Sequence, residues 1–208
     1  MKKCELSYNC SHENKHERHI KQSTRWLFSL IFISISIFLI KPFMISQLLN
    51  RASSYTSYNL YPEAIRQYKK VLIMDKRNNN AWNWLAYSYK NEGYLEEAIQ
   101  TYKEAIKINP ENRVAHFNLG MIFVSKKDYK KAIQCFEQVR ISSSKTKIQK
   151  AINMASYHKS SLNMLSTCYE RLKDFNKAII VLEELTRYYP NDRIVEEKLN
   201  LLKKELNK

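Results

Sequence analysis

Soft and imidazole metal ligands cluster near the start of the chain. The first 19 residues hold two of its four cysteines and three of its five histidines: Cys4, Cys10, His12, His16 and His19. Structural zinc sites usually combine closely spaced cysteines with two histidines at a distance, and the spacing here differs from that pattern. Residues 1–25 are basic and polar, with no apolar pattern that would fix ligand geometry. We therefore interpret them as a solvated basic tail and predict no metal site.

The other groups that could do chemistry are scattered. His116 falls at a packing position of the helical pattern described below, and His158 stands apart from other candidate catalytic residues. The sequence contains no glycine-rich phosphate loop, and its His-Glu-x-x-His match, from His12 to His16, falls in the tail that we interpret as solvated. We expect no catalysis and no cofactor. Cys135 and Cys168 are predicted on adjacent helices, where packed thiols are the commoner case and a disulfide in an oxidising compartment is the alternative.

The composition indicates an all-helical chain. Glycine accounts for 2 of 208 residues, against about 7% in an average protein, and most sheet folds and phosphate-binding loops require glycine. Lysine and arginine outnumber aspartate and glutamate by 35 to 20, which gives a formal net charge of +15. This excess favours acidic partners or anionic membranes without identifying one.

One apolar segment precedes the helical pattern. Residues 26–40 contain no charged side chain, and Phe43, Met44 and Ile45 continue the run beyond Lys41. About 20 residues cross a bilayer as a helix, and a lysine near the end of such a span can reach the interface. We predict a transmembrane helix over 26–45. A buried helix of a soluble protein and a cleaved signal peptide are the alternatives.

Flanking charges predict the orientation of this span. The basic residues close to it are Lys15, Arg18, Lys21 and Arg25 before the span, and Lys41 and Arg51 at or after its end. Basic flanks favour the cytoplasmic side of a membrane. The predicted localisation is a single-pass membrane protein with a cytoplasmic N-terminus and the larger C-terminal part on the opposite side.

A 34-residue period organises the rest of the chain. Ala64, Ala98 and Ala132 recur at intervals of 34, and Ala178 follows after 46. Upstream positions repeat these intervals, in the series Leu48, Trp82, His116, Leu162 and the series Tyr55, Tyr89, Phe123, Tyr169. In all three series the last interval is longer than the others by the same 12 residues. This shared irregularity indicates a repeated structural unit with one insertion.

The second copy of this unit carries a family resemblance. It reads Trp82-x2-Leu85-Ala86-x2-Tyr89, then Ala98-x3-Tyr102 and Pro110, which closely resembles the tetratricopeptide repeat signature. The resemblance implies an all-α solenoid of about four stacked helix hairpins over residues 46–190. We place the repeats at 45–78, 79–112, 113–146 and 159–192, with a 12-residue insertion at 147–158 and a capping helix over 191–208. The insertion would extend the next helix or form a short helix of its own, after a loop at Ser142, Ser143 and Ser144.

Glycine and proline fall at defined positions of the repeats. Gly93 is predicted in a left-handed turn between paired helices. Gly120 is predicted where two helices approach each other closely. Pro62 suits the first turn of a second helix, whereas Pro110 and Pro190 are expected to end second helices.

In this family the first helices usually line a concave groove that binds a ligand. Carried over by the resemblance, the partner-binding positions are Asn80, Asn83, Trp84, Tyr87, Asn91, Phe117, Asn118, Met121, Asn163 and Thr167. Asparagine can donate to and accept from a peptide backbone, while aromatic and methionine side chains can receive apolar groups. The resemblance therefore implies a protein or peptide partner.

Basic residues are concentrated between Lys126 and Lys159, where Asp128 and Glu137 are the only acidic residues. Such a stretch is usually a solvated face, and contact with an anionic surface is the alternative. Nucleic acid is not favoured, because no aromatic platform accompanies the lysines. We expect a membrane-anchored protein-interaction scaffold. The alternative is a self-associating structural component of a cell-envelope assembly.

Overall fold

The computed structural model describes Trp26 and residues 40–145 and 152–206. The chain divides into two compact units, residues 1–48 and 49–208. The predicted tail over 1–25, with its cysteines and histidines, lies outside the described residues, as does most of the predicted span over 26–45. Within the part that the structure describes, no helix is long and apolar enough to cross a membrane.

The described residues form nine helices. Residues 40–57 belong to α1. The others are α2 (Tyr61–Met74), α3 (Asn79–Glu92), α4 (Leu95–Ile108), α5 (Arg113–Ser125), α6 (Tyr129–Lys145), α7 (Ile152–Arg171), α8 (Phe175–Tyr188) and α9 (Arg193–Leu206). From α2 to α9 each helix contacts the next, and α5 also contacts both α3 and α7. The hairpins therefore stack in order, which confirms the predicted all-α solenoid for these residues.

Local sequence signals set the helix ends. The side chains of Asn78 and Asn112 accept hydrogen bonds from backbone N–H groups three residues ahead, at 3.0 and 3.1 Å, and so cap α3 and α5. Pro62 lies in the first turn of α2, where its missing N–H costs no hydrogen bond. Helices α4 and α8 end two residues before Pro110 and Pro190, as predicted.

Both glycines have the roles that the repeat pattern predicts. Gly93 follows α3 with a φ of +94°, a conformation that glycine adopts without a steric penalty. Gly120 is buried in α5 against the ring of Phe136 on α6. No side chain fits between these two helices at that point.

Buried side chains from α2 to α9 form the core of the described residues, and many of them belong to two clusters. Tyr102 and Phe136 are fully buried, whereas Tyr89, Phe123 and Tyr169 are half-buried and pack against the clusters. Full burial of an aliphatic or phenylalanine side chain contributes about 1.5 to 3 kcal/mol relative to exposure. The aromatic repeat positions are therefore packing residues that hold the hairpins together.

Two local predictions need correction. Helix α6 continues through Ser142, Ser143 and Ser144, so no loop begins there. Serine lowers helix propensity by less than about 0.7 kcal/mol per residue, which does not end a helix that packs against α7. The helical spacing of Val195, Leu199, Leu202 and Leu206 also predicts a single apolar stripe on the capping helix. In α9, Val195 and Leu202 are buried, but Leu206 in the last turn is exposed.

Helix α7 shows how the chain accommodates part of the insertion. It begins at Ile152 and continues without interruption for 20 residues to Arg171. From residue 152 onward, the inserted segment therefore extends the first helix of the last repeat. This was one of the two predicted possibilities.

Candidate partner-binding groove

The first helices of the hairpins, α3, α5 and α7, lie side by side. We call the surface formed by their predicted partner-binding residues the groove face. Asn80, Trp84 and Asn91 are exposed on it, and Asn83, Tyr87, Phe117, Asn118, Met121, Asn163 and Thr167 are half-buried. All ten side chains therefore have at least some surface available to a partner.

An aromatic cluster forms the α3 end of the groove face. Trp84 is 46% exposed, and its ring meets Tyr87 edge-to-face with the centroids 5.5 Å apart. Tyr61 of the preceding hairpin also meets the Tyr87 ring edge-to-face, with the centroids 6.4 Å apart. The ammonium of Lys90 lies 5.8 Å from the centroid of the Tyr87 ring. Because neighbours hold the rings in place, the exposed surface of Trp84 is preorganised for an apolar or cationic group.

The amide of Asn83 has a partner within the chain. Asn83 and Asn112 exchange amide hydrogen bonds at 3.0 and 3.3 Å. Since Asn112 also caps α5, this pair joins the groove face of one repeat to the start of the next. Asn91 donates to the carbonyl oxygen of Tyr87 at 2.7 Å. Part of the hydrogen-bonding capacity that the sequence assigns to a partner therefore serves the fold.

The middle of the groove face is an apolar floor. Phe117 and Met121 are half-buried and pack against the core cluster beneath α5. The Phe117 ring centroid lies 5.7 Å from Phe136 and 5.4 Å from Tyr157 of α7. Because these side chains are half-buried, they offer a partner a limited apolar surface that suits small apolar groups.

The far end of the groove face meets α9. Lys198 donates hydrogen bonds to the hydroxyls of Ser166 and Thr167, both at 3.2 Å, and pairs with Glu170 at 2.7 Å. Thr167 also donates to the carbonyl oxygen of Asn163 at 3.0 Å. The capping helix therefore occupies part of the polar surface that α7 offers.

Sequence reasoning missed two residues of this surface. Ile194 and Leu201 of α9 are 79% and 65% exposed. They occupy the same repeat positions as Asn80 and Tyr87, because α9 begins 34 residues after the last repeat starts. Continuing the period past residue 192 would have identified them, but the apolar stripe of α9 indicated only a cap.

The comparisons with known proteins agree with this architecture. A family model described as TPR repeat matches residues 87–124. A second, described as tetratricopeptide repeat, matches residues 114–139 and 160–192. These parts of the chain are therefore tetratricopeptide repeats (TPRs). These matches support a protein-binding scaffold without enzymatic activity.

Relatives of this TPR protein include both sequences and solved structures. Anaphase-promoting complex subunit 3 of Schizosaccharomyces pombe is 28% identical over 148 residues, which cover 71% of this chain and 20% of that protein. The chain thus spans about one fifth of the length of this relative. MamA 41-end from Desulfovibrio magneticus RS-1 matches with a TM-score of 0.63 at 15% identity, over 79% of this chain and 86% of that one.

A third match is a solved complex. PcrH in complex with the chaperone binding region of PopD has a TM-score of 0.55 at 14% identity, over 61% of this chain and 91% of that one. At such low identities the structural matches show the shared fold alone.

The two cysteines that the structure describes pack within the fold. Cys135 and Cys168 are buried free thiols in different core clusters, so the structure has the packed thiols and not the alternative disulfide. Burial raises the pKa of Cys135 to about 12 and that of Cys168 to about 11. Because the thiolate is the reactive form of cysteine, both thiols are unreactive near neutral pH. Among the described residues, no group of His, Cys, Asp and Glu side chains could hold a metal ion.

Proposed function

We propose that this TPR protein is a membrane-anchored scaffold that holds a protein or peptide partner on its groove face. The observation that carries the proposal is the exposed ring of Trp84, fixed edge-to-face on Tyr87 at the surface of α3. Exposed aromatic side chains with restrained rotamers lose little conformational entropy on binding and are common interface anchors.

The expected partner segment is largely uncharged and bears apolar side chains. The groove face is composed of amides, aromatic rings and methionine, with Lys90 at the aromatic cluster and Glu170 already paired to Lys198. The PcrH structure provides a precedent for protein binding by this fold, since PcrH is in complex with the chaperone binding region of PopD. Apolar side chains of the partner would contact Trp84 and the floor at Phe117, while exposed amides bind its backbone.

The membrane part of the proposal rests on the sequence. The apolar run over 26–45 is long enough to cross a bilayer, and the basic residues before it favour a cytoplasmic N-terminus. Carbonate washing of membranes tests the anchor: an integral protein stays with the vesicles, and release into the supernatant would contradict it. Protease treatment of sealed vesicles tests the orientation, because a translocated TPR domain is protected.

Photo-crosslinking tests the groove face in the full-length protein. A photoreactive amino acid at Asn80, beside the aromatic cluster, should capture a partner in native membranes. Replacing Trp84→Ala together with Tyr87→Ala should abolish this capture. Ile73→Ala is the matched control, because Ile73 is 78% exposed on the second helix of a hairpin, outside the groove face. Equal capture by the photoreactive protein, its Trp84→Ala with Tyr87→Ala variant and its Ile73→Ala variant would exclude the groove face as the partner-binding surface.

Self-association remains the second candidate function. It is favoured by the exposed Ile194 and Leu201 on α9, at the end of the solenoid. Sedimentation of the full-length protein in detergent over a concentration series tests it. A monomer throughout argues against self-assembly, whereas oligomers that disappear in Ile194→Gln with Leu201→Gln support it.

A further inference from the structure

The turns between the two helices of successive hairpins share an unusual backbone conformation. One residue of each turn has a positive φ: Asn59 at 59°, Gly93 at 94°, Lys127 at 59° and Lys173 at 60°. Glycine takes this conformation without strain, and asparagine takes it more readily than most residues. Lysine has no such advantage. Two of the four turns therefore keep a lysine where glycine would stabilise the fold.

The two lysine turns are close copies of each other. In each, an aspartate follows the positive-φ lysine, and a second lysine comes three residues after the aspartate. The two sets are Lys127, Asp128, Lys131 and Lys173, Asp174, Lys177. Each aspartate accepts from the backbone N–H of the second lysine and pairs with its ammonium, at 2.6 Å in the first turn and 2.8 Å in the second.

This local pairing leaves the positive-φ lysines as excess charge. The second lysine of each turn lowers the pKa of its aspartate, mainly through the side-chain hydrogen bond. Lys127 and Lys173 are exposed, and neither has an ion-pair partner among the described residues. Their charge is therefore available to an external anion.

Both turns lie at the same edge of the solenoid. They follow the C-terminal ends of α5 and α7, which are first helices in contact with each other. Three more exposed bases accompany them. We call the set Lys126, Lys127, Lys130, Arg171 and Lys173 the basic edge. Of these, Lys126 forms an ion pair with Glu96 of α4.

Two further basic residues of the stretch between Lys126 and Lys159, Arg140 and Lys159, are already paired. Arg140 binds Glu137 at 3.0 Å and Glu184 at 3.1 Å. Lys159 binds Asp192 at 2.8 Å. Among the side chains that the structure describes, the unpaired charge of this stretch therefore lies at the turn after α5, and the turn after α7 extends it beyond the stretch that the sequence singled out.

We propose that the basic edge lies against an anionic phospholipid surface. Its charges project from two turns at the edge of the solenoid, outside the groove face, and so suit an extended flat anion. Lysine ammonium groups act as point charges toward lipid headgroups, and such contacts need no fixed geometry. The formal charge of +15 supplies attraction in the same direction. An acidic protein segment is the competing partner for the same charges.

Lysine acylation on the full-length protein tests the proposal. Purified protein is mixed with vesicles of phosphatidylcholine alone or of phosphatidylcholine with phosphatidylglycerol, treated with a water-soluble acylating ester and analysed by mass spectrometry. Acylation of Lys127, Lys130 and Lys173 should fall several-fold on the anionic vesicles only and recover in high salt. Lys70 and Lys103, which are exposed on second helices, should not change.

Glycine variants separate charge from folding. Lys127→Gly with Lys173→Gly removes two charges and relieves the positive-φ strain, so the melting temperature should rise while the protection of Lys130 is lost. Asn59→Gly is the matched control: it places glycine at the equivalent turn position without removing charge, so the protection should remain. If the glycine pair lowers the melting temperature, Lys127→Asn with Lys173→Asn replaces it.

Three outcomes would overturn the assignment. Protection on both kinds of vesicle would show that the contact does not depend on anionic lipid. Protection that survives removal of both charges would exclude the basic edge as its cause. Protection by polyglutamate but not by anionic vesicles would assign the edge to an acidic protein. The groove-face experiment is unaffected by each of these results, so the two proposals fail separately.

Discussion

A methyl group added at Gly120 would lie 2.8 Å from Cε1 of Phe136 and 2.9 Å from its Cζ. This close contact lies between α5 and α6, the first and second helices of the third repeat. Glycine within a helix costs about 1 kcal/mol relative to alanine. The close approach of the Phe136 ring explains why the chain accepts that cost.

Gly120→Ala should destabilise the protein although alanine is the better helix former. An extra methyl group forced into a packed core costs about 1 to 3 kcal/mol, which exceeds the gain in propensity. We expect a net loss of about 1 kcal/mol in the free energy of unfolding, measured by urea denaturation.

A double-mutant cycle assigns the loss to this contact. Phe136→Leu removes the ring edge that meets the methyl group, so Gly120→Ala should cost less in that background than in the natural chain. Equal costs in both backgrounds would show that the loss arises elsewhere.

The fold was predictable because the same types of packing residue recur at the same positions of successive repeats. The positions of Gly93, Gly120 and Pro62 follow from sequence spacing alone, and the structure bears them out. The missed feature is the helix through residues 142–144. Serine has only a weak effect on helix propensity, so the packing of α6 against α7 decides the conformation there.

The candidate site was predictable only in part. Repeat positions place Trp84 and Tyr87 on the surface of α3, but they do not show that Tyr61 supports Tyr87 from the preceding hairpin. Likewise, the period cannot reveal that Asn83 is bonded to Asn112. Such contacts depend on the angle between stacked hairpins, which spacing within one hairpin does not determine.

Two tyrosines at equivalent repeat positions differ in hydrogen bonding. The hydroxyl of Tyr68 lies 3.3 Å from Oγ1 of Thr56, within hydrogen-bonding distance. The hydroxyl of Tyr102 is buried with no hydrogen-bond partner among the residues that the structure describes, and burial raises its pKa, with Tyr157 and Tyr87 adding to the effect. An unsatisfied buried hydroxyl is destabilising.

Tyr102→Phe should therefore stabilise the protein. Removing the hydroxyl eliminates a buried group without a partner, and we expect the free energy of unfolding to rise by up to about 1 kcal/mol. Phenylalanine already occupies the equivalent position of the next repeat, as Phe136. Thermal and urea unfolding both report the change.

Tyr68→Phe is the matched control for this substitution. It breaks the contact with Thr56, so it should be neutral or should lower the free energy of unfolding by about 1 kcal/mol. A loss of stability in Tyr102→Phe would mean that the Tyr102 hydroxyl has a partner in solution, and the interpretation would be wrong.

His116 lies buried in α5 beside the turn before it. Its Nε2–H donates to the carbonyl oxygen of Pro110 at 3.0 Å. Burial lowers the pKa of His116 below its ordinary 6.5, and this hydrogen bond opposes the shift only in part. The folded protein therefore favours the neutral imidazole.

His158 lies buried in α7 and is also held neutral. Burial is the main cause of its lowered pKa, Arg140 and Arg113 lower it further, and Glu184 opposes the shift. Its Nδ1 lies 3.3 Å from the hydroxyl of Tyr189. Protonation would place a cation in this environment without a carboxylate bonded to the ring.

These two shifts predict a loss of stability in mild acid. Because the unfolded chain binds protons near pH 6.5 and the folded chain does so only at lower pH, the free energy of unfolding should fall as the pH drops below about 6.5. Urea denaturation at a series of pH values from 7.5 to 5, roughly the range in which histidine titrates, measures the slope. In His116→Gln with His158→Gln the slope should be smaller. A slope as steep as that of the natural chain would show that other groups cause it.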